Sequence, residues 1–363
     1  MRIAQVAPLI ESVPPHLYGG TERVVSWLTE ELVREGHDVT LFATGDSSTR
    51  ARLVPCAERA LRQDPSVTDP LAHHLNMIER VFSMGSHFDL IHFHTDYLHY
   101  PLSRRSGIPT VTTLHGRLDL PDLVPVYREF DDIPLVSISD AQRDPLPWAN
   151  WMGTVYHGMP LDLFQFEDHP RGDHLLFLGR LSPEKRVDRA IEVAERVGMR
   201  LKIAAKVDRA DRDYFESEVR HRLNTPGIEF LGEVGGARKA ELLRHARALL
   251  FPVDWPEPFG LVMIEAMACG TPVIAWPCGS VPEVIRDGVS GCVVRGIDEA
   301  VRAVRHVGRI DRRRCRAEFE QRFSAPRMAQ DYVAIYRRLI ARHAEGLPPR
   351  ARAGTHEWAE APR

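Results

Sequence analysis

Paired cysteines are missing from this chain. Its five, Cys56, Cys269, Cys278, Cys292 and Cys315, are odd in number, widely spaced and never set two by two as in a zinc site. A disulfide framework and a zinc ribbon are thereby excluded, and reduced thiols in a cytoplasmic protein are expected. Long apolar runs are also missing: none approaches the ~18 to 20 residues of a membrane span. The opening MRIAQVAPLIE is an apolar strand cut by Pro8 and Glu11, too brief for a signal-peptide core. Any membrane contact is therefore expected to be peripheral. A net charge of -3 lacks the basic excess of nucleic-acid binders, so no nucleic-acid partner is expected. Neither Gly-x-Gly-x-x-Gly nor a Gly-Lys-Thr phosphate loop occurs, which argues against a dinucleotide cofactor and ATP hydrolysis.

What is present is a repeated alternation. The length, 363 residues, suggests two domains of ordinary size. Short apolar runs at Ile3–Ala7, Val39–Ala43, Leu90–His92, Thr110–Leu114 and Leu135–Ser137 alternate with amphipathic stretches such as Thr21–Glu35. Residues 140–173 are proline-rich and aperiodic, after which the alternation restarts at His174–Leu178, Arg200–Ala204, Ile228–Leu231, Ala248–Pro252, Pro272–Ala275 and Gly291–Val294. This predicts an α/β chain of two doubly wound, Rossmann-like parallel sheets facing across a cleft. The expected units are residues 1–155 and 156–325, a C-terminal helix over 326–342, and a disordered tail over 343–363.

The segment EPFGLVMIE, residues 257–265, carries the sharpest chemical signal. Pro256 and Pro258 disfavour a helix before Phe259, whereas Leu261, Ile264, Met267 and Ala268 recur at helical spacing, so a helix begins near Gly260. Glu257 then lies in the loop and Glu265 about one turn inside the helix. Free amides at Gly260 and Leu261 would favour a phosphate, and a rise of ~1.5 Å per residue sets the two carboxylates up to ~12 Å apart. That is roughly the span of a diphosphate with a sugar at each end, and carboxylates accept hydrogen bonds from sugar hydroxyls. Two solvated glutamates beside a proline-bounded helix start would show the same spacing.

Other constellations fit the same ligand. In GRLSPEKRVDRAIEVAERV, Ser182 suits a helix N-cap and Pro183 the first helical position, which puts Lys185 in the first turn. A cation there is unfavourable unless an anion binds the same helix end, and Arg180 adds a forked donor. The loop YGGTE, residues 18–22, lets backbone approach a ligand, although a plain tight turn also explains its glycines. His115 ends the strand TVTTL at the expected cleft edge. His92, His94 and Asp96 cluster in IHFHTDYLH without a third metal ligand at a telling spacing. Asp211-Arg212-Asp213 and the arginines from Arg302 to Arg316 read chiefly as solvated faces, with anionic lipid as a minor alternative for the second.

Taken in order, YGGTERVV, TLHG, FLGRLSPEK, FLGEV, EPFGLVMIEAMACGTPVIA and GSVPEVIRDGVSG resemble a family 4 glycosyltransferase of the GT-B fold, from residue 1 to about 340. The resemblance implies that Glu257 contacts donor-sugar hydroxyls and supports charge at the anomeric carbon, with His115 near the transferred sugar. It implies that Glu265 binds the ribose, and that Arg180, Lys185 and the Gly260 and Leu261 amides hold the diphosphate, in the same donor-binding loop as Phe259. Gly20 would approach the donor from the opposite domain, and Gly232 and Val234 would line the base pocket. It further implies retaining, metal-independent transfer of a hexosyl group from a nucleoside-diphosphate sugar, UDP by family habit, to an acceptor hydroxyl. The acceptor is expected to be chosen by first-domain loops at Asp119–Asp132 and His94–Pro101. An epimerase of similar fold and a non-catalytic nucleotide-sugar-binding subunit are the alternatives. Two departures bear on sugar preference. The chain has FPVDWPEP where relatives carry small polar residues, and His157-Gly158 where an Asn-Gly is common.

Overall fold

The alternation of the sequence becomes two all-parallel sheets. In this computed structural model residues 1–17 and 19–346 are described. The first sheet holds β1 (Arg2–Val6), β2 (Asp38–Thr44), β3 (Arg52–Ala57), β4 (Leu90–Phe93), β5 (Thr110–Thr113), β6 (Leu135–Ser137) and β7 (Trp151–Thr154). The second holds β8 (His174–Arg180), β9 (Arg200–Lys206), β10 (Ile228–Gly232), β11 (Ala248–Phe251), β12 (Val273–Ala275) and β13 (Gly291–Val293). Their orders are β3-β2-β1-β4-β5-β6-β7 and β10-β9-β8-β11-β12-β13. Each order reverses direction once, between β1 and β4 and between β8 and β11, and the crevice at such a switch is where doubly wound sheets take ligands. Strands β4, β5 and β6 are buried along their whole length, as helices on both faces require.

Two edge strands were not expected. β3 contains Pro55, which reads as a breaker but is tolerated where only β2 pairs with the strand, and the register shifts just beyond it. β7 falls inside the stretch read as an aperiodic linker. It is short, half-buried and carries Gly153 at φ 150°, so no hydrophobic pattern announces it. A third correction concerns Ser182. It precedes an isolated 3-10 turn, Pro183–Lys185, after which Arg186 adopts a left-handed conformation at φ 52°. The long helix starts only at Val187, so Lys185 stands on a separate turn and the helix-dipole argument for it does not hold.

The last helix, Ala325–Ala344, packs on the first sheet although it follows the second in the chain. Its Tyr332 and Tyr336 are fully buried, with hydrogen bonds to Thr113 on β5, His92 on β4 and Gln5 on β1. Of the expected tail, His343 and Ala344 complete this helix, and residues 347–363 lie outside the described residues. Across the cleft, the Glu283 carboxylate of the second unit accepts the Asp140 and Ala141 amides of the first at 2.7 and 2.8 Å, and the Tyr156 hydroxyl at 3.1 Å.

Candidate functional site

A cleft of about 470 Å³ opens between the carboxyl ends of the two sheets. Its second-sheet wall includes Arg180, Lys185, Val234, Glu257, Phe259, Gly260, Leu261 and Glu265; Gly20 and His115 stand on the first-sheet wall. Gly232 is the one expected site residue that does not line it. It ends β10 at φ 68°, and the chain reaches the cleft only with the next two residues, Glu233 and Val234. Tyr18 of the YGGTE loop lies outside the described residues. Neither Asp119–Asp132 nor His94–Pro101 contributes to the wall among the described residues. Glu11, Leu17, Glu22, Arg23 and Arg62 take that side instead.

Glu257 is 9% exposed and is fixed at one end of its carboxylate: Oε2 accepts the Trp255 indole N–H at 3.0 Å and pairs with the Lys185 ammonium. The Trp255 ring also lies 5.1 Å from Lys185 Nζ and 5.8 Å from the Arg117 guanidinium of the first unit, so the inserted aromatic gathers two cations at the cleft mouth. The loop backbone is pinned from the GSVPE segment. Ser280 donates its amide to the Glu257 carbonyl at 2.9 Å and its hydroxyl to the Phe259 carbonyl at 2.9 Å. Gly279, at φ 58°, packs so closely that a Cβ there would lie 2.4 Å from both N and O of Glu257. Phe259 is 2% exposed; its ring packs edge-on to His157 at 4.8 Å, so its share in the cleft wall is small.

Gly260, at φ 78°, caps the helix Leu261–Ala268, and among the described residues no side chain caps its first amides. Those amides carry the helix's partial positive charge toward the cleft. One turn in, Glu265 is 4% exposed, and its Oε1 is bonded to Lys239 Nζ at 2.6 Å. On the second-sheet wall Arg180 faces three carboxylates: Glu184 at 2.5 Å, Asp211 at 3.2 Å and Asp208 at 3.9 Å. Burial pushes the Asp211 carboxyl up against the pull of Arg180. Asp211, read from sequence as solvated, is half-buried beside Arg180 and does not itself line the cleft. The arginine run is likewise divided: Arg312 is buried and donates to the Glu167, Ala246, Arg244 and Cys269 carbonyls, so it clasps loops and offers nothing to lipid.

His115 follows β5 into the cleft. Its Nε2 lies 2.8 Å from His94 Nδ1, and its ring stacks on His157 at 5.3 Å. Burial pushes its pKa down to about 3, so the ring is neutral in the working range. His92 and His94, weighed as metal ligands, spend their ring nitrogens on Tyr336, Thr113, Gln5 and His115. Among the described residues no group of three or more His, Cys, Asp or Glu could hold a metal ion. Sequence reasoning missed Trp255 as a Glu257 partner, and it missed Lys239, Gly279 and Gln5. Only the oddity of FPVDWPEP offered a signal for the first.

The chain matches the family models for glycosyltransferase family 4 over residues 18–152 and for glycosyl transferases group 1 over residues 163–317. It is 26% identical to a glycogen synthase of Mycobacterium tuberculosis, covering 89% of this chain and 93% of that one. Among solved structures it resembles AviGT4, a glycosyltransferase involved in avilamycin A biosynthesis, at TM-score 0.73 and 25% identity, over 94% of this chain and 98% of the other. It shares its fold with Anabaena HepE, solved in complex with UDP-glucose, at TM-score 0.68 and 18% identity, over 96% and 100% of the two chains. With a GT-B architecture of two parallel-sheet units and family matches on both, the chain belongs to the family 4 glycosyltransferases.

Proposed function

We propose that this glycosyltransferase moves a hexosyl group from a nucleoside-diphosphate sugar, with UDP as the nucleotide, to an acceptor hydroxyl, with retention of anomeric configuration and no metal requirement. The observation that carries the reading is the convergence in one cleft of Glu257 with Lys185, the uncapped helix start at Gly260 and Leu261, and Glu265 one turn further in. Lys185, Arg180 and the helix-start amides supply the positive field in which a diphosphate leaves, the electrostatic form of catalysis that takes the place of a cation. Glu265 accepts the ribose hydroxyls, and Glu257 accepts from the sugar and supports charge at the anomeric carbon. In the transfer the bond from the anomeric carbon to phosphate oxygen breaks, the acceptor oxygen bonds to the same face, and its proton passes to the departing phosphate. The HepE complex with UDP-glucose supports the choice of first donor to test. Incubating the protein with UDP-glucose should release UDP, slowly to water and faster with an acceptor, and proton NMR of the new anomeric centre should show the donor's configuration. An inverted product would overturn retention. Donor isomerisation without UDP release would replace transfer by epimerisation. Glu257→Ala should reduce turnover roughly a hundredfold to a thousandfold; undiminished turnover would remove Glu257 from the chemistry.

A further inference from the structure

Gln5, His94 and His115 come from β1 and from the residues that follow β4 and β5, three neighbouring strands of one sheet. Gln5 is fully buried and His94 is 3% exposed. Gln5 Nε2 donates to the Tyr336 hydroxyl at 3.1 Å, and Gln5 Oε1 lies 2.9 Å from His94 Nε2. His94 Nδ1 then lies 2.8 Å from His115 Nε2. The far nitrogen of His115, Nδ1, is buried and has no hydrogen-bond partner among the described residues, although the residue lines the cleft.

We propose that Gln5 and His94 are positioning residues that hold His115, a residue of the cleft wall, in the Nε2–H form, leaving its buried Nδ1 with a bare lone pair that only a hydrogen-bond donor brought against it can satisfy. The proton order follows from the donors and acceptors in turn. An amide oxygen only accepts, so His94 Nε2 carries the hydrogen. Burial holds both imidazoles neutral, one proton each, which leaves His94 Nδ1 as an acceptor. His115 Nε2 must then donate to it, and the His115 Nδ1 atom has no hydrogen left. A group in that state welcomes a sugar hydroxyl and opposes a carbonyl, carboxylate or phosphate oxygen. It serves neither as a proton donor nor as an anion clamp. The chain of bonds runs back to Tyr336, so the C-terminal helix orients a residue of the cleft wall. The role assigned to the ligand hydroxyl rests on the sugar-nucleotide reading above; the tautomer itself does not.

The test begins with long-range proton–nitrogen correlation spectra of the full-length protein, labelled in its histidine rings, near neutral pH and without ligand. His115→Asn and His94→Phe provide the assignments among the 17 histidines. Both His94 and His115 should give the Nε2–H pattern. The Nδ1–H pattern at His115, which the opposite orientation of the Gln5 amide would produce, overturns the proposal, and so does an imidazolium pattern. The second arm is kinetic. His94→Phe removes the acceptor for His115 and should lower kcat/KM for UDP-glucose about fivefold to tenfold, the loss of one buried hydrogen bond. His94→Asn, whose Oδ1 stands where Nδ1 stood, should recover it to within about twofold. Equal losses in both variants would overturn the relay. Because the spectra need no donor, an Nε2–H pattern in a protein inert toward UDP-glucose sustains the relay while the donor reading falls.

Discussion

Glu257 is held at a single oxygen, and the residue that distinguishes this chain does part of the holding. The Trp255 N–H and the Lys185 ammonium both meet Oε2, leaving Oε1 for a ligand. A hydrogen bond to a charged group contributes about 1.5 to 3 kcal/mol. Trp255→Phe keeps an aromatic face under Lys185 and Arg117 and removes only the donor. Turnover should fall roughly tenfold while thermal unfolding moves little; an unchanged kcat would show that Lys185 alone fixes the carboxylate. The histidines make a separate prediction at the same scale. His92, His94, His115 and His157 are all kept neutral by burial first, with repulsion from neighbouring histidines assisting at His92, His94 and His157. In the unfolded chain each protonates near 6.5, whereas folded His115 resists until about 3. Below about 6.5 the unfolded state therefore binds more protons. Stability should be complete above it and decline as pH falls, by about 1.4 kcal/mol per pH unit for each such histidine. His157→Asn should cost about 1 to 3 kcal/mol at neutral pH through lost packing on His115 and Phe259, yet flatten the acid limb by one proton. Chemical unfolding followed at several pH values reads both; an unaltered acid slope would mean that His157 is not among the groups responsible.

At the scale of elements, the loop that carries Glu257 owes its shape to a segment some twenty residues downstream. Gly279 has a left-handed backbone, and its missing side chain is what admits the Glu257 peptide. Gly279→Ala adds a Cβ at 2.4 Å from two backbone atoms, so the loop must move. We expect activity to drop more than a hundredfold, since misplacement by about 1 Å is that costly, while the circular dichroism spectrum persists. Full activity would show that the loop tolerates displacement. This contact also marks the limit of what sequence could disclose. The central strands and the helix at Gly260 were legible because apolar periodicity and proline placement dictate them locally. Strand β3, with Pro55, and β7, with Gly153, are edge strands whose formation depends on a neighbour more than on their own residues. The same holds for the site. Glu257, Glu265, Lys185 and His115 were legible from motif and position. Lys239 and Gly279 act through long-range contact and carry no local signature. For Lys185 the motif FLGRLSPEK alone carries the assignment, since a left-handed Arg186 ends its turn before the helix begins and the helix-dipole argument fails.

For the molecule as a whole, the relevant quantity is how firmly the two sheets face each other, because the cleft has walls from both. Several ties cross between them. The last helix buries Tyr332 and Tyr336 against the first sheet, and Arg327 on it donates to the Tyr156 and His157 carbonyls at 2.5 and 3.2 Å. Glu283 is different in kind: it sits on the short helix Val281–Val284, just beyond the Gly279-Ser280 pin, and grips two amides of the opposite unit. A single carboxylate thus connects the support of Glu257 to the position of the other wall. Removing it should not unfold either sheet, for neither core includes it, but should let the walls separate more often. Glu283→Ala is therefore expected to raise KM for the donor about fivefold with kcat altered by less than about twofold, since the competent closed form becomes a smaller fraction of the population. Amide exchange should quicken at Asp140 and Ala141 and remain slow in β1, β4, β8 and β11. If exchange accelerates throughout both sheets, Glu283 contributes to global stability and the interpretation as an interdomain tie fails. If KM and exchange are both unchanged, the helix Ala325–Ala344 alone sets the separation of the walls.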